Sequence, residues 1–228
     1  MKDKFINIGL INKGRMAPFV KAIFRKKKIK ILSKRGGRDL FGKIQGYPNL
    51  RIMKMSAKEI VNNLAAGVLD FGWSGADIFF ESELNIQSKI SIFKKYDWGK
   101  SSLIVAAPNH WVDLANVTDL EEISWIFFNK KKRLMRVATK FPNLTSSWLN
   151  SRGITQYELI ASESSTETCP FNGKSDIISD LVSSGETLRQ NNLKIIESSV
   201  ILKSSGCLMC NKKSLKKKEV RKAIKLIT

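Results

Sequence analysis

Short apolar runs alternate with amphipathic stretches along nearly the whole chain, and that alternation restricts it to layered α/β folds, in which helices cover sheets. Phe5 to Ile11 reads as a first strand, and Ala17 to Lys27 as a helix with Phe19, Val20, Ile23 and Phe24 on one side. Residues 33 to 49, with four glycines and Pro48, read as a loop. Strand returns over Leu50 to Met55. Ser56 and Glu59 then have the spacing of a capping box for a helix over Ala57 to Ala66, which Gly67 ends. Further strands are expected at Asp70 to Gly75, Ile90 to Phe93, Leu103 to Ala107, Arg136 to Thr139, Tyr157 to Ala161, Asp176 to Val182, Lys194 to Leu202 and Gly206 to Cys210. Trp111 to Leu120 reads as loop, Pro142 as the first turn of a helix, and Leu215 to Ile227 as a basic amphipathic helix. No linker-like stretch separates two domains, so two lobes would share interwoven strands.

Composition excludes several classes. No apolar run reaches the ~18 residues of a membrane span, and the N-terminal run reads as a strand rather than an export signal, so a cytoplasmic protein is expected. His110 is the only histidine, which argues against a catalytic triad. Cys207 and Cys210 form one CxxC, too few ligands for a tetrahedral zinc site, and read as core thiols. The net charge of +20 fits either lysine-rich solvated faces or a polyanionic partner. Aromatic residues are not interleaved with the lysine runs, so the expected nucleic-acid contact is nonspecific.

Three segments carry candidate chemistry. The run from Asp176 to Leu188 reads as strand, hydroxyl-rich turn, then helix start, a place where backbone N–H groups meet phosphate. In it Gly185 allows close approach, Ser183, Ser184 and Thr187 offer hydroxyls, and Asp180 can accept bonds from sugar hydroxyls. The same run also fits an ordinary helix capped by Ser184 or Thr187. Asn12-Lys13-Gly14-Arg15 sets two cations around a glycine after the first strand, fit to clamp pyrophosphate or simply to lie on the surface. Glu167 is a lone carboxylate in the hydroxyl-rich turn Ser165 to Pro170.

Taken in order, these segments resemble the ATP phosphoribosyltransferase family nearly end to end. The resemblance includes Ala66 to Asp77, Asp97-Trp98-Gly99 through Pro108, Arg136 to Leu144, Glu167 to Pro170 and Asp180 to Leu188. It implies two α/β lobes of the periplasmic-binding-protein type II kind with a cleft between them. Lobe I would hold residues 1–98 and 199–228, and lobe II, residues 99–198, the phosphoribosyl pyrophosphate loop. It implies transfer of the phosphoribosyl group to N1 of ATP with release of pyrophosphate, Mg²⁺ being carried by the substrate, as the first step of histidine biosynthesis. The same fold also serves noncatalytic proteins that bind small anions, which is the alternative reading. By the resemblance, Lys13, Gly14 and Arg15 contact phosphate or pyrophosphate, Ser183, Ser184, Gly185, Glu186 and Thr187 hold the 5′-phosphate, and Asp180 with Glu167 holds the ribose hydroxyls. It further implies a short-form, homo-oligomeric subunit working with a regulatory subunit related to histidyl-tRNA synthetase. The chain departs from the family pattern at Ser56, where the pattern has arginine, at Val61 (proline), at Ser101 (cysteine) and at Ser184 (threonine). Lys54 and Lys58 are the cations near the missing arginine.

Overall fold

A computed structural model describes residues 5–14, 16–32, 40–162 and 165–228. Contacts divide the chain into two units, Met1–Lys100 with Ser205–Thr228, and Ser101–Ser204. The expected and observed boundaries near the second crossing differ by residues 199–204, which include the short strand Leu202–Ser204 that pairs within the second unit.

The first unit opens with β1 (Ile6–Ile11) and α1 (Ala17–Lys26), then β2 (Ile31–Leu32), β3 (Phe41–Ile44), β4 (Tyr47–Met55) and α2 (Ala57–Ala65). β5 (Phe71–Gly75) runs directly into α3 (Ala76–Glu81), followed by α4 (Leu84–Gln87) and β6 (Ile90–Lys95). The capping box forms as its spacing predicts, with Glu59 N–H donating to Ser56 Oγ at 3.3 Å and Ser56 N–H to Glu59 Oε2 at 2.7 Å. The expected loop over 33–49 is not what residues 40–49 form. There β3 and β4 make a hairpin about Gln45–Gly46, and Pro48 falls where the register shifts, so its missing N–H costs no ladder bond. Gly36 and Gly37, the rest of that expectation, lie outside the described residues.

The second unit contains β7 (Ser101–Pro108), α5 (Val117–Lys131), β8 (Met135–Thr139), α6 (Pro142–Ser151), β9 (Tyr157–Ala161), a 3₁₀ turn (Thr166–Thr168), β10 (Ile177–Val182), α7 (Glu186–Gln190), β11 (Leu193–Ile195) and β12 (Leu202–Ser204). Its strand order is β11-β7-β10-β8-β9, with β12 also on β7. β8, β9 and β10 run parallel, while β7 pairs antiparallel with β10. Where a loop was expected to run on to Leu120, α5 begins at Val117, started by a second capping box between Asn116 and Asp119. The strand expected over 194–202 is split, because the chain turns at Ser198 (φ +60°) and both pieces pair with β7.

The chain then returns to the first unit with β13 (Gly206–Asn211), α8 (Lys212–Leu215) and α9 (Lys218–Ile227), so the expected tail helix is broken at Lys216 and Lys217. β13 inserts between β5 and β6, giving the order β2-β3-β4-β1-β5-β13-β6 among the described residues. Val220, Ala223, Ile224 and Ile227 of α9 bury against Ile8, Ile52 and Trp73. Cys207 and Cys210 are free thiols, fully buried in separate clusters on the two faces of β13, and burial pushes Cys210 up to about 12.

Candidate active site

In the second unit the three parallel strands end along one edge, and the candidate residues gather there. The crevice outside the carboxyl ends of parallel strands is where α/β sheets bind ligands. β10 is followed by Ser183, Ser184 and Gly185, then α7. Gly185 has φ +77°, a conformation glycine adopts without a Cβ penalty, and a Cβ there would meet nothing nearer than Val182 Cγ1 at 4.0 Å. The close approach of an anion to this backbone is therefore open. Ser183, Ser184 and Thr187 are exposed. Gly185, rather than either candidate hydroxyl, holds the cap position of α7, and Ser184 Oγ accepts from Glu186 N–H at a long 3.4 Å. The Glu186 carboxylate is turned along its own helix, paired with Arg189 and accepting from Gln190 Nε2 at 3.1 Å.

Asp180 lies in β10, half-buried, opposite Ile104 of β7. Its Oδ1 accepts from Leu181 N–H at 2.8 Å, which fixes the side chain's direction. Glu167 sits in the 3₁₀ turn packed beside β10, and Ser162 and Thr166 bridge by their hydroxyls at 3.0 Å just past the end of β9. The turn is thus held at the same edge as Asp180 and the Ser183–Thr187 loop.

Beneath this edge lies a buried hydroxyl chain that sequence reasoning missed. Thr145 Oγ1 donates to Ser179 Oγ at 3.0 Å and lies 3.2 Å from Thr139 Oγ1, which accepts from Phe141 N–H at 3.0 Å. It joins the end of β8, the start of α6 and the middle of β10. All three side chains are at most 2% exposed. Buried hydroxyls demand partners, and these find them in one another, tying β8, α6 and β10 together beneath the edge. Thr139 within Ala-Thr-Lys-Phe-Pro was the one trace of it in the sequence.

In the first unit, Lys13 and Gly14 follow β1 in an exposed turn. Asn12 N–H donates to Met55 O at 3.0 Å, and Gly14, at φ +92°, turns the chain toward α1. Arg15 lies outside the described residues. Beside this turn is a cavity of about 480 Å³ lined by Asn12, Lys13, Lys54, Ser56 and Glu59 among others. Among the described residues no three His, Cys, Asp or Glu side chains gather as metal ligands. No helix among them is long and apolar enough to cross a membrane.

Known proteins resemble this chain in sequence and in fold. The family model described as ATP phosphoribosyltransferase (HisG) matches residues 56–228. A protein of that name from Sinorhizobium fredii (strain NBRC 101917 / NGR234) is 33% identical over 205 residues, 90% of this chain and 89% of its own length. One from Rhizobium meliloti (strain 1021) is 33% identical over 92% of this chain and 91% of its own. Against a third, from Rhodopseudomonas palustris (strain BisA53), 31% identical, the chain spans 66% of the relative's length. In structure, the chain is similar to one in the ATP phosphoribosyl transferase (HisG:HisZ) complex from Thermotoga maritima, with a TM-score of 0.77, 22% identity, and coverage of 98% and 96%. The GluR0 ligand-binding core superposes with a TM-score of 0.56 at 12% identity, covering 98% and 90%, which places the fold in the periplasmic-binding-protein type II class. With the family model spanning most of its length and relatives a third identical over nine-tenths of it, the chain belongs to the ATP phosphoribosyltransferase family.

Proposed function

We infer that the chain catalyses the reaction for which its family is named, joining the phosphoribosyl group of phosphoribosyl pyrophosphate to N1 of ATP and releasing pyrophosphate, the first step of histidine biosynthesis. The observation that carries this reading is the open, hydroxyl-lined turn Ser183–Thr187 at the carboxyl edge of β10, with Asp180 and Glu167 beside it. Ser183, Ser184, Gly185 and Thr187 take the 5′-phosphate, with Glu186 holding the first turn of α7 through Arg189. Asp180, aided by Glu167, accepts from the ribose hydroxyls and so orients C1 toward the incoming nitrogen. Lys13, Gly14 and Arg15 take the pyrophosphate as its charge grows, a gain realised most fully at the transition state. The family works with a divalent metal. Mg²⁺ brought in by the substrate would neutralise part of the phosphate charge, in keeping with its usual preference for phosphate oxygens over all-protein cages. No covalent nucleophile is needed, so rate comes from positioning and electrostatics. The chain works in the cytoplasm as a homo-oligomer alongside a histidyl-tRNA-synthetase-like regulatory subunit, a reading supported by its likeness to a chain of the HisG:HisZ complex.

The test is a direct assay with ATP, phosphoribosyl pyrophosphate and Mg²⁺, with and without the regulatory subunit. Formation of phosphoribosyl-ATP is expected. Asp180→Ala and Lys13→Ala are expected to lower kcat/KM by about 10- to 100-fold each, the scale of one lost charge-assisted contact. Absence of product under both conditions, with phosphoribosyl pyrophosphate still bound, would replace the enzyme reading with that of an anion-binding protein.

A further inference from the structure

The cavity of the first unit lies outside the carboxyl ends of β1 and β4, neighbouring parallel strands in register from Ile6↔Leu50 to Ile11↔Met55. Lys13 follows the end of β1, and Lys54 sits next to the last residue of β4. Both line the same space. Among the described residues neither is within ion-pair distance of a carboxylate. Among the described residues the one carboxylate in the lining, Glu59, is engaged in the capping box. Its Oε2 accepts from Ser56 N–H at 2.7 Å, and that backbone bond, with help from the Ser56 hydroxyl, holds it below the usual carboxylate range. Lys58, on α2, is exposed and does not line the cavity. Asn12 adds one polar side chain, and the rest of the described lining is apolar, made by Leu40, Phe41, Met53, Met55 and Ala57. A volume of about 480 Å³ suits a small-molecule ligand. Two ammonium groups with no ion-pair partner among the described residues, beside a largely apolar lining, call for an anionic ligand.

We propose that Lys54, together with Lys13, binds a substrate polyphosphate group in this cavity, making Lys54 a substrate-binding residue of the transferase. This rests on the function proposed above and adds a residue to it. Ser56, at the head of α2, is spent on capping, so the cavity draws its second cation from the adjoining strand. The role given above to Lys13 makes the pyrophosphate of phosphoribosyl pyrophosphate the expected occupant; the triphosphate of ATP is the other source in the reaction, and binding measurements separate them.

Calorimetric binding of each substrate alone, in the presence of Mg²⁺, is measured for the full chain and for Lys54→Ala, Lys54→Arg and Lys58→Ala. Lys54→Ala is expected to weaken one substrate about tenfold, the scale of one charge-assisted contact, and to leave the other within about twofold. Lys54→Arg retains most of the affinity and Lys58→Ala all of it. Loss confined to ATP assigns the cavity to its triphosphate, and loss confined to phosphoribosyl pyrophosphate assigns it to the pyrophosphate. Unchanged binding of both by Lys54→Ala overturns the proposal while the enzyme reading stands, and so does an equal loss of both, which marks a folding defect. If the unaltered chain binds neither substrate and makes no product, the enzyme reading falls and this inference falls with it.

Discussion

Asp176 sits where the chain enters β10, its carboxylate held by Arg133 at 2.6 and 2.8 Å and by the Arg136 side chain at 3.2 and 3.3 Å. The Arg136 amide donates to it as well, at 2.8 Å. Burial pushes this carboxyl up, but the two guanidinium groups and the amide outweigh burial and bring it down to about 2. A folded value below the ordinary 3.8 means stability that is present above that ordinary value and is lost as pH falls through the folded one. The size is about 2 kcal/mol. Urea unfolding followed from about pH 5 down to about pH 2 is expected to show this loss, and Asp176→Asn to flatten it while lowering stability at neutral pH. A variant with the unaltered pH slope would show that the pairing contributes little. The sequence marks Asp176 and Asp180 alike as acids near one strand; what it does not spell out is that pairing β10 with β8 brings Arg133 and Arg136 to Asp176.

Among the elements, those with a local chemical signal were legible and those specified by distant partners were not. The Ser56–Glu59 spacing, Pro142 at the head of α6 and the apolar run of β10 each state their structure within a few residues. The hairpin of β3 and β4 was hidden by its glycines and Pro48, which mimic loop composition; β1, paired along β4, supplies the ladder that overrides them. α5 was obscured by its run of aromatic residues. Trp125, Ile126 and Phe128 stay exposed while Leu120 and Phe127 are buried, so the apolar pattern lacks a single face. Its own capping pair, Asn116 and Asp119, was the signal that could have revealed it. α9 is the opposite case, with four buried residues at helical spacing. Ile224, fully buried in the first unit's core, is expected to cost about 3 kcal/mol when cut to alanine, against near zero for exposed Lys225→Ala, as read from denaturant midpoints.

At the scale of the molecule, charge and fold make separate statements. The family resemblance carried the fold class and named the Ser183–Thr187 turn as a candidate, both from residues contiguous in sequence. The hydroxyl chain Thr139–Thr145–Ser179 and the pairing of Lys13 with Lys54 across one cavity were not legible, because they arise where separate strands end side by side. The net charge of +20 creates a general attraction for polyanions. Random-sequence duplex DNA is expected to bind at about 50 mM salt and to be released by about 300 mM, with log affinity falling linearly in log salt. Retention at the higher salt in a filter-binding titration would instead point to a dedicated nucleic-acid site.

The place of β13 in the first sheet also sets a timetable. A polypeptide leaves the ribosome amino end first, and domains tend to organise as they emerge. β6 is synthesised well before the strand that separates it from β5. Until Gly206–Asn211 emerges, β5 ends the sheet with an unfilled edge and β6 lacks the one strand that pairs with it among the described residues. Residues 101–204 form one uninterrupted stretch and hold every strand of their own sheet by then. The unit of residues 101–204 is therefore ready first in the nascent chain, and the sheet that starts earlier in the sequence is the last to close.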